Sequence, residues 1–440
     1  MQSDFETLAD DLCASIPGHE VLLLSFDGET SDFVRLNHGK VRQAGRVEQR
    51  VLNLQLVHGS RHSSAAVVLS GDHAADTSRC LATLSELRSQ LPLLPEDPHL
   101  LFNAEVSSGT HVGANTLPDA ADAIDEIVAA GEGLDLVGIW ASGGVHQGFA
   151  NSLGQRNWFT THSFNFDWSL YHQADKASKN SYAGTEWDSD EFARTMAKAR
   201  TELDVLRRPA RTIEPGAYRV YLAPSAVDEI TGLLSWGGFG LKALKSKRSP
   251  LLRAAEGKAS FSASVTLSEH TGAGLSPDFG PSGFRKPART TLFENGAFSQ
   301  TLVSPRSGAE FGAVTTGASG REAPQSLEME AGDLSTDDML QSLGTGIWVN
   351  NLWYLNYSDL PACRMTGMTR FATLWVEDGE IVSPLNVMRF DDSVYRMLGE
   401  GLVGLTRERE LLLSASTYGK RSTDSALLPG ALIDGLRFTL

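Results

Sequence analysis

NWFTTHSFNFDWSLYHQ, residues 157–173, alternates bulky apolar and polar side chains along most of its length. Successive side chains of a β-strand point to opposite faces, so this pattern predicts an antiparallel strand with one buried face and one face near water. The two faces would carry, respectively, His162, Phe164, Phe166, Trp168 and Leu170, and Thr161, Ser163, Asn165, Asp167 and Ser169.

The segments around this strand repeat an order of elements that also occurs earlier in the chain. Helical spacing of apolar residues predicts helices over about 118–130 and 189–206, with strands between them. The earlier block reads helix (4–16), strands with turns at DGET (27–30) and HGSR (58–61), and helix (74–90). We predict two helix and antiparallel-strand units, about 1–95 and 110–206, whose shared order is consistent with an internal duplication.

A change of composition predicts where this N-terminal part ends. RRPARTIEPG (207–216) combines charge, two prolines and a glycine, which is typical of a domain boundary. Beyond it strand signals dominate, and the turns ENGA (294–297) and EDGE (377–380) each join two apolar runs, as hairpins do. The prediction is an α+β protein, with an N-terminal α+β domain over 1–210 and a β-rich C-terminal sheet or barrel-like domain over 217–440.

Length and charge limit the classes of function. A chain of 440 residues exceeds what one hydrophobic core usually serves, so two or more domains are expected. Lys and Arg number 38 against 54 Asp and Glu, a net charge of −16, which disfavours binding to nucleic acid. The one dense basic run, LKALKSKRSP (241–250), lacks interleaved aromatic residues and is interpreted as a solvated turn.

The cysteines and the apolar runs indicate the compartment. Cys13, Cys80 and Cys363 lie far apart, which argues against a disulfide framework and a cysteine-rich zinc site. The N-terminal segment is acidic where a secretory signal would be basic. No stretch approaches the roughly 20 apolar residues of a membrane span. We therefore expect a cytoplasmic protein with no membrane partner.

Two pairs of residues, one His-Glu and one His-His, resemble fragments of metal sites. His19 and Glu20 lack a second histidine one turn further on, and the apolar residues that follow predict a loop entering a strand. His58 and His62 have a suitable spacing on a helix, but glycine and serine between them favour a hairpin turn, where the imidazoles need not converge. Neither pair is assigned as a metal ligand.

Other candidate groups also lack the context that their chemistry needs. His146 and His270 lie in glycine-rich segments and are interpreted as loop residues without a catalytic role. The serine in ASGG (141–144) lacks the G-x-S-x-G elbow of a nucleophile. GTGIWV (344–349) and GAGLSPDFG (272–280) lack the lysine or helix start of a phosphate cradle. The motifs thus assign no catalytic, metal-binding or substrate-binding residue.

The stretch APSAVDEITGLLSWGGFG (223–240) places two carboxylates early in a predicted helix. Ser225 with Asp228 three residues later fits a variant capping box, and Asp228 and Glu229 would then lie in the first turn, where the helix dipole favours acids. This interpretation accounts for the acids structurally. The predicted buried stripe consists of Val227, Ile230, Leu233 and Leu234, with two glycines ending the helix after Trp236.

Seen as a whole, the order of segments resembles the TldD/PmbA family, also called modulators of DNA gyrase. The resemblance spans nearly the whole chain. Each motif alone has low specificity, and the resemblance rests on their shared order. These are FVRLNHGKVRQ (33–43), GFANSLGQ (148–155), GAYRVYLAPSAVDEITGLL (216–234), SPLLRAAEGKASFSASVTL (249–267), TTLFENGAFSQTLVS (290–304), TRFATLWVEDGEIVSP (369–384) and SALLPGALIDGLRF (425–438).

The resemblance also implies what this chain lacks. TldD-type members carry His-Glu-x-x-x-His on the helix after the L-x-P strand and a cysteine in a late Gly-x-Cys-Gly loop, and together these hold zinc. Here that helix has no histidine, and the late loop SASTYGKRS (414–422) has Tyr418 near the cysteine position. An acidic family pattern is eroded to DFGPSG (278–283), and Cys363 lies on another segment and receives no ligand role.

The chain is therefore similar to the TldE/PmbA type, which lacks the zinc motif. The resemblance implies a heterodimer with a TldD-type subunit that holds the zinc and cuts unfolded or extended peptides, while this chain binds no cofactor. Two alternatives stay open: a metal-free homodimer that binds peptides or another ligand, and an autonomous hydrolase with an unrecognised site. Direct action on gyrase or DNA is disfavoured by the acidic composition.

Overall fold

The structure is a computed structural model that describes residues 1–173 and 176–439. With 23% helix and 43% strand, the chain is an α+β protein, as predicted. The helices are Gln2–Ala14 (α1), His73–Gln90 (α2), Ala120–Ala130 (α3), Ser189–Leu206 (α4), Pro224–Leu234 (α5), Leu241–Lys245 (α6), Leu252–Ala255 (α7), Pro305–Phe311 (α8), Met339–Leu343 (α9) and Val394–Met397 (α10), with a 3-10 turn at Leu91–Leu93.

The strands fall into two sheets. The first contains Val21–Asn37 (β1), Lys40–His58 (β2), Arg61–Val68 (β3), Gly109–Val112 (β4), Asp135–Asn151 (β5), Arg156–Gln173 (β6) and Lys176–Gly184 (β7). The second contains Gly216–Leu222 (β8), Leu267–Glu269 (β9), Thr290–Glu294 (β10), Ala297–Phe298 (β11), Ser326–Met329 (β12), Gly346–Asp359 (β13), Arg364–Glu377 (β14), Glu380–Pro384 (β15), Arg389–Ser393 (β16), Leu402–Leu413 (β17) and Ser425–Phe438 (β18).

The first sheet has the strand order β3-β2-β1-β5-β6-β4, with β7 also paired to β6. The order α1, β1, β2, β3, α2 recurs as α3, β5, β6, β7, α4, and the two sets meet where β1 pairs antiparallel with β5. The predicted helices thus exist, and α4 has the predicted bounds 189–206. The origin of the two units by duplication stays a prediction.

The turn expected at DGET (27–30) was wrong, because these residues lie inside β1. They pair with β2 on one side and with β5 on the other. A Cβ added to Gly28 would lie 2.7 Å from Cε1 of Phe26. The glycine therefore marks a close side-chain approach within a strand and not a chain reversal.

Part of β2 forms a free edge of the first sheet. Residues 40–48 pair only with β1 in the described part of the chain, since β3 pairs with Val51–His58. Every residue from 41 to 48 is exposed. We call this segment the β2 edge.

β6 differs from its predicted half-exposed state, because both of its faces are covered. Phe164 and Phe166 are fully buried against α3 and α4, as the alternation predicts. The polar residues Thr161 and Ser163 are also buried, at 5% and 3% exposure. A loop of the second sheet covers this face and supplies hydrogen bonds to it, so polarity here does not indicate contact with water.

The second sheet closes on itself. β8 pairs with β13 and β18, and β13, β14, β16 and β18 pair in succession, so these strands form a ring around an apolar core. The predicted hairpins are confirmed, with Asn295 and Gly296 joining β10 to β11 and Asp378 and Gly379 joining β14 to β15. The barrel-like core expected in this part of the chain is therefore present.

The end of α4 joins the two parts. Val205 and Leu206 pack against Tyr221 of β8 and Trp348 of β13. The buried carboxylate of Glu202 accepts hydrogen bonds from Ser178 and Asn350, at 2.6 Å each. The segment 207–216, predicted as a boundary, connects α4 to β8, and the division into two domains stays a prediction. Among the helices that are described, none has the length and apolar character required to cross a bilayer.

Candidate functional site: the α5 cleft

The helix that carries Asp228 and Glu229 begins differently from the capping-box prediction. Ala223 is the N-cap of α5 and Pro224 its first residue, so Ser225 is already inside the helix and makes no capping hydrogen bond. Proline fixes the φ angle that the first helical position requires, and it therefore sets the start. Asp228 is the fifth residue, the first turn contains no acid, and the dipole does not account for the pair.

The packing of α5 follows the predicted stripe. Val227, Ile230, Leu233 and Leu234 are buried in the core of the second sheet. The helix ends at Leu234, before the two glycines, and Gly237 takes a left-handed φ of 84° beyond the end. Because the apolar stripe occupies one side, Asp228 and Glu229 point away from the core.

These two carboxylates line a cleft between the sheets with a volume of about 410 Å³, which we call the α5 cleft. One wall comes from β6 and β7 of the first sheet, and the others from α5, β13 and the chain near the ends of β17 and β18. Its principal polar groups are Lys179, Ser225, Asp228, Glu229, Asn351 and Asp424.

The side chains that line the α5 cleft include four carboxylates, Asp167, Asp228, Glu229 and Asp424, and one cation, Lys179. Lys179 forms a 3.8 Å ion pair with Asp167. Burial raises the pKa of Glu229, and the charge of Lys179 partly opposes this rise. Burial, and then the neighbouring Glu229, raise the pKa of Asp228 to about 6. Asp228 is thus a carboxylate that protein surrounds on several sides but that no cation of the described residues neutralises.

The α5 cleft does not match the donor set of a zinc site. None of the residues that line it is histidine or cysteine, and the groups present are carboxylates, hydroxyls, amides and a lysine. Zinc in proteins is bound chiefly by imidazole and thiolate, with carboxylate as a minority ligand. Across residues 1–173 and 176–439, no group of three or more His, Cys, Asp or Glu side chains is arranged to hold a metal ion.

The histidines of the early motifs lie elsewhere. Glu20 pairs with Arg88 of α2, with Oε2 2.8 Å from Nη2, and β1 starts one residue later, as predicted for a loop entering a strand. Gly59 and Ser60 form the predicted turn between β2 and β3. His58 pairs with Arg61 and His62 with Val57, so the two imidazoles lie on opposite faces of the hairpin.

The prediction that His146 lies in a loop was wrong. The residue lies within β5, where Nδ1 is 3.0 Å from the Thr160 hydroxyl and the ring stacks on Trp158. Burial, with a smaller effect of His162, lowers the pKa of His146 to about 4, so the ring is neutral near pH 7. His270 directly follows β9 and contacts Glu328, away from the α5 cleft.

The segment that resembles the cysteine loop of TldD-type members joins β17 to β18. We call residues 414–424 the β17–β18 loop. Tyr418 is 99% exposed at its tip, whereas Arg421 is buried and reaches into the first sheet. Its Nη2 donates to the carbonyl and hydroxyl oxygens of Ser163, at 2.8 and 2.9 Å. Its Nη1 donates to the Gly143 carbonyl at 3.2 Å and the Ser31 hydroxyl at 3.3 Å.

The charge of Arg421 is balanced by Glu29, which is 2% exposed. Oε2 of Glu29 accepts hydrogen bonds from the Arg421 backbone N–H at 3.2 Å and from Gln49 at 2.7 Å. Burial lowers the pKa of Arg421 to about 10, against the raising effect of Glu29, so the guanidinium is charged at neutral pH. The β17–β18 loop is therefore held on the first sheet, next to the α5 cleft.

The reactivity of the three cysteines provides a test of their burial in the structure. Burial raises the pKa of Cys363 to about 12 and that of Cys80 to about 11, and both side chains are fully buried. Only the thiolate reacts with disulfide reagents. We expect DTNB to modify partly exposed Cys13 first, slowly because burial also raises its pKa, and the other two only in denaturant. Rapid modification of Cys363 in the folded chain would contradict the structure.

The fold and the cleft define an α+β protein of two sheets, in which a helix on the closed second sheet presents carboxylates to the space between them. The family profile for the PmbA/TldA metallopeptidase C-terminal domain matches residues 215–440. The chain therefore belongs to the PmbA/TldD family, whose members are metallopeptidase-like. No curated protein sequence matches it.

Solved structures share the whole architecture. TldE from Thermococcus kodakarensis superposes with a TM-score of 0.78 at 14% identity, covering 99% of this chain and 100% of its own. A protein from Thermotoga maritima described as a candidate modulator of DNA gyrase gives 0.77 at 15% identity, with the same coverages. A like-named protein from Bacteroides thetaiotaomicron gives 0.74 at 15%, covering 99% and 98%. At these identities the similarity establishes the fold.

Proposed function

We propose that this chain is the non-catalytic, TldE/PmbA-type subunit of a two-chain zinc metallopeptidase that acts on unfolded or extended peptides in the cytoplasm. A TldD-type partner holds the zinc and performs hydrolysis. This chain shapes the space in which the peptide is bound. The family profile supports peptidase chemistry for the complex. The residues of this chain support the non-catalytic role within it.

The observation that carries the proposal is the polar face of α5. In TldD-type members the helix at this place in the sequence carries the two zinc-binding histidines. Here the corresponding helix presents Asp228 and Glu229 to the cleft, and the β17–β18 loop has an exposed tyrosine in place of a thiolate. A zinc-bound water supplies a nucleophile near neutral pH, so a chain without zinc ligands needs a zinc-bearing partner for this hydrolysis.

The shape of the cleft supports a binding role. It is open to solvent and its volume of about 410 Å³ falls in the range of roughly 300–1,000 Å³ that is usual for ligand sites. Polar groups from both sheets face the same space, so a peptide segment lying in it would contact both parts of the chain.

Co-expression with a TldD-type subunit tests this function. We expect a complex of one copy of each chain by light scattering, one zinc per complex by metal analysis, and cleavage of a disordered peptide that a chelator abolishes. Each chain alone is the control, and this chain alone should contain no stoichiometric zinc and cleave nothing.

Three results would contradict the proposal in different ways. Stoichiometric zinc or chelator-sensitive cleavage with this chain alone would establish an autonomous hydrolase. A stable self-dimer that binds peptide and ignores the partner would establish a homodimeric binding protein. Failure to form any complex with a TldD-type partner would remove the subunit role.

A further inference from the structure

Asp228 is a carboxylate without a counter-ion. The Lys179 ammonium of the same cleft is paired with Asp167 and opposes the rise in the pKa of Glu229, whereas Asp228 forms no ion pair with a described residue. No hydrogen-bond donor of the described residues acts on its carboxylate either. Asp228 is partly exposed to the cleft, and a partly desolvated charge without a partner costs folding free energy, so this arrangement is more favourable when a ligand supplies positive charge.

A second unpartnered group lines the same cleft. Asn351 of β13 is 9% exposed, and its buried Oδ1 has no hydrogen-bond partner among the residues described. Buried amide oxygens nearly always accept a hydrogen bond, so an isolated one marks a place where a donor is missing. Asn351 and Asp228 belong to different elements, β13 and α5, and both residues line the same cleft.

The remaining surface of the cleft is apolar. Leu327 of β12, Leu412 of β17 and Ala426 of β18 line it alongside the acids. A divalent metal ion would prefer a shell made only of oxygen atoms. A long side chain with a methylene stem and a cationic end fits apolar walls and acceptors together.

We propose that the α5 cleft binds the lysine or arginine side chain of an extended peptide, with Asp228 and Asn351 accepting hydrogen bonds from its cationic end. This inference rests on the proposed function, since it names the class of peptide that the subunit brings to its partner. In this proposal Glu229 adds negative charge that attracts the cationic side chain from a distance. Lys179 neutralises Asp167, so that Asp167 does not bind the ligand in place of Asp228.

Peptide binding to the purified chain tests the inference. The probes are three fluorescein-labelled, disordered nonapeptides that differ only in a central lysine, glutamine or glutamate. We expect fluorescence anisotropy to show the lysine peptide binding about tenfold or more tighter than the glutamine peptide, the ratio that one hydrogen bond to a charged group supplies. The glutamate peptide should bind most weakly, and added salt should reduce the differences.

Two variants separate the site from general charge effects. Asp228→Asn should abolish the preference for lysine over glutamine, and Asn351→Leu should reduce it. Asp378→Asn is the matched control, because it makes the same change of charge at the exposed β14–β15 turn, outside the cleft. It should bind all three peptides as the unmodified chain does. Circular dichroism checks that each variant is folded.

Each other outcome overturns the inference. Equal binding of the lysine and glutamine peptides, or no peptide binding, shows that the cleft does not select a basic side chain. Competition by Ca²⁺ or Mg²⁺ at stoichiometric concentration shows a metal site instead. If Asp228→Asn stops assembly with a TldD-type partner but leaves lysine-peptide binding unchanged, the carboxylate serves the subunit interface. Assembly of the unmodified chain with a TldD-type partner is measured separately by light scattering. A failure of the proposed subunit role can therefore be told apart from a failure of lysine-peptide binding.

Discussion

Replacing Arg421 by methionine is expected to lower the free energy of unfolding by about 3 kcal/mol or more. The methionine fills similar volume but leaves the buried carbonyl oxygens of Ser163 and Gly143 without their donors. It also removes the charge that compensates buried Glu29. Urea unfolding followed by tryptophan fluorescence measures the loss.

Lys420→Met is the control for this experiment. Lys420 is the adjacent cation of the same loop and pairs with Asp27, but both side chains contact solvent, at 53% and 32% exposure. Exposed ion pairs contribute about 0–1 kcal/mol, so this variant should unfold nearly as the unmodified chain does. Equal losses for the two variants would show that the buried hydrogen bonds of Arg421 do not hold the β17–β18 loop on the first sheet.

Replacing Asp228 by asparagine is expected to have the opposite effect and to stabilise the folded chain at about pH 8. The folded-state pKa of about 6 lies above the ordinary value of 3.8. A difference of this size corresponds to up to about 3 kcal/mol, and water in the open cleft screens part of it. We therefore expect a gain of about 1 to 3 kcal/mol.

The pH dependence has a definite sign. An acid whose pKa is raised by folding favours the folded state while it is protonated, and this contribution is lost as pH rises through the folded-state pKa. The advantage of Asp228→Asn should be absent below the ordinary pKa of 3.8, grow as pH approaches 6 and be complete above it. Urea midpoints at several pH values measure it, with Asp378→Asn as the control. A destabilised variant, or a gain independent of pH, would refute the assignment.

Local signals predicted much of the fold. Helical spacing predicted α4 with its bounds, and the dipeptides Asn295-Gly296 and Asp378-Gly379 predicted two hairpins, because these features depend on residues adjacent in the chain. The errors arose where distant segments decide the outcome. Gly28 continues β1 because β2 and β5 pair on both sides, and the polar face of β6 is buried because Arg421 covers it.

The α5 cleft was only partly predictable. The apolar stripe through Ile230 and Leu233 already placed Asp228 on the other side of the helix, and this was a usable signal. Pro224, and not a capping box of Ser225 and Asp228, sets the start of α5, and this start places Asp228 beyond the first turn. Lys179 and Asn351 come from strands far away in the chain, and only the packing of the two sheets brings them to the helix.

The β2 edge has a consequence for association between copies of the chain. Unpaired amide and carbonyl groups along a strand can template the addition of a foreign strand, which leads to aggregation. Here the edge carries the cations Lys40, Arg42 and Arg46 and one acid, Glu48, so two copies brought together along it would oppose mostly like charges. A strand able to pair there would need to bring acidic side chains, and the positive charges oppose pairing of this edge with the same edge of a second copy.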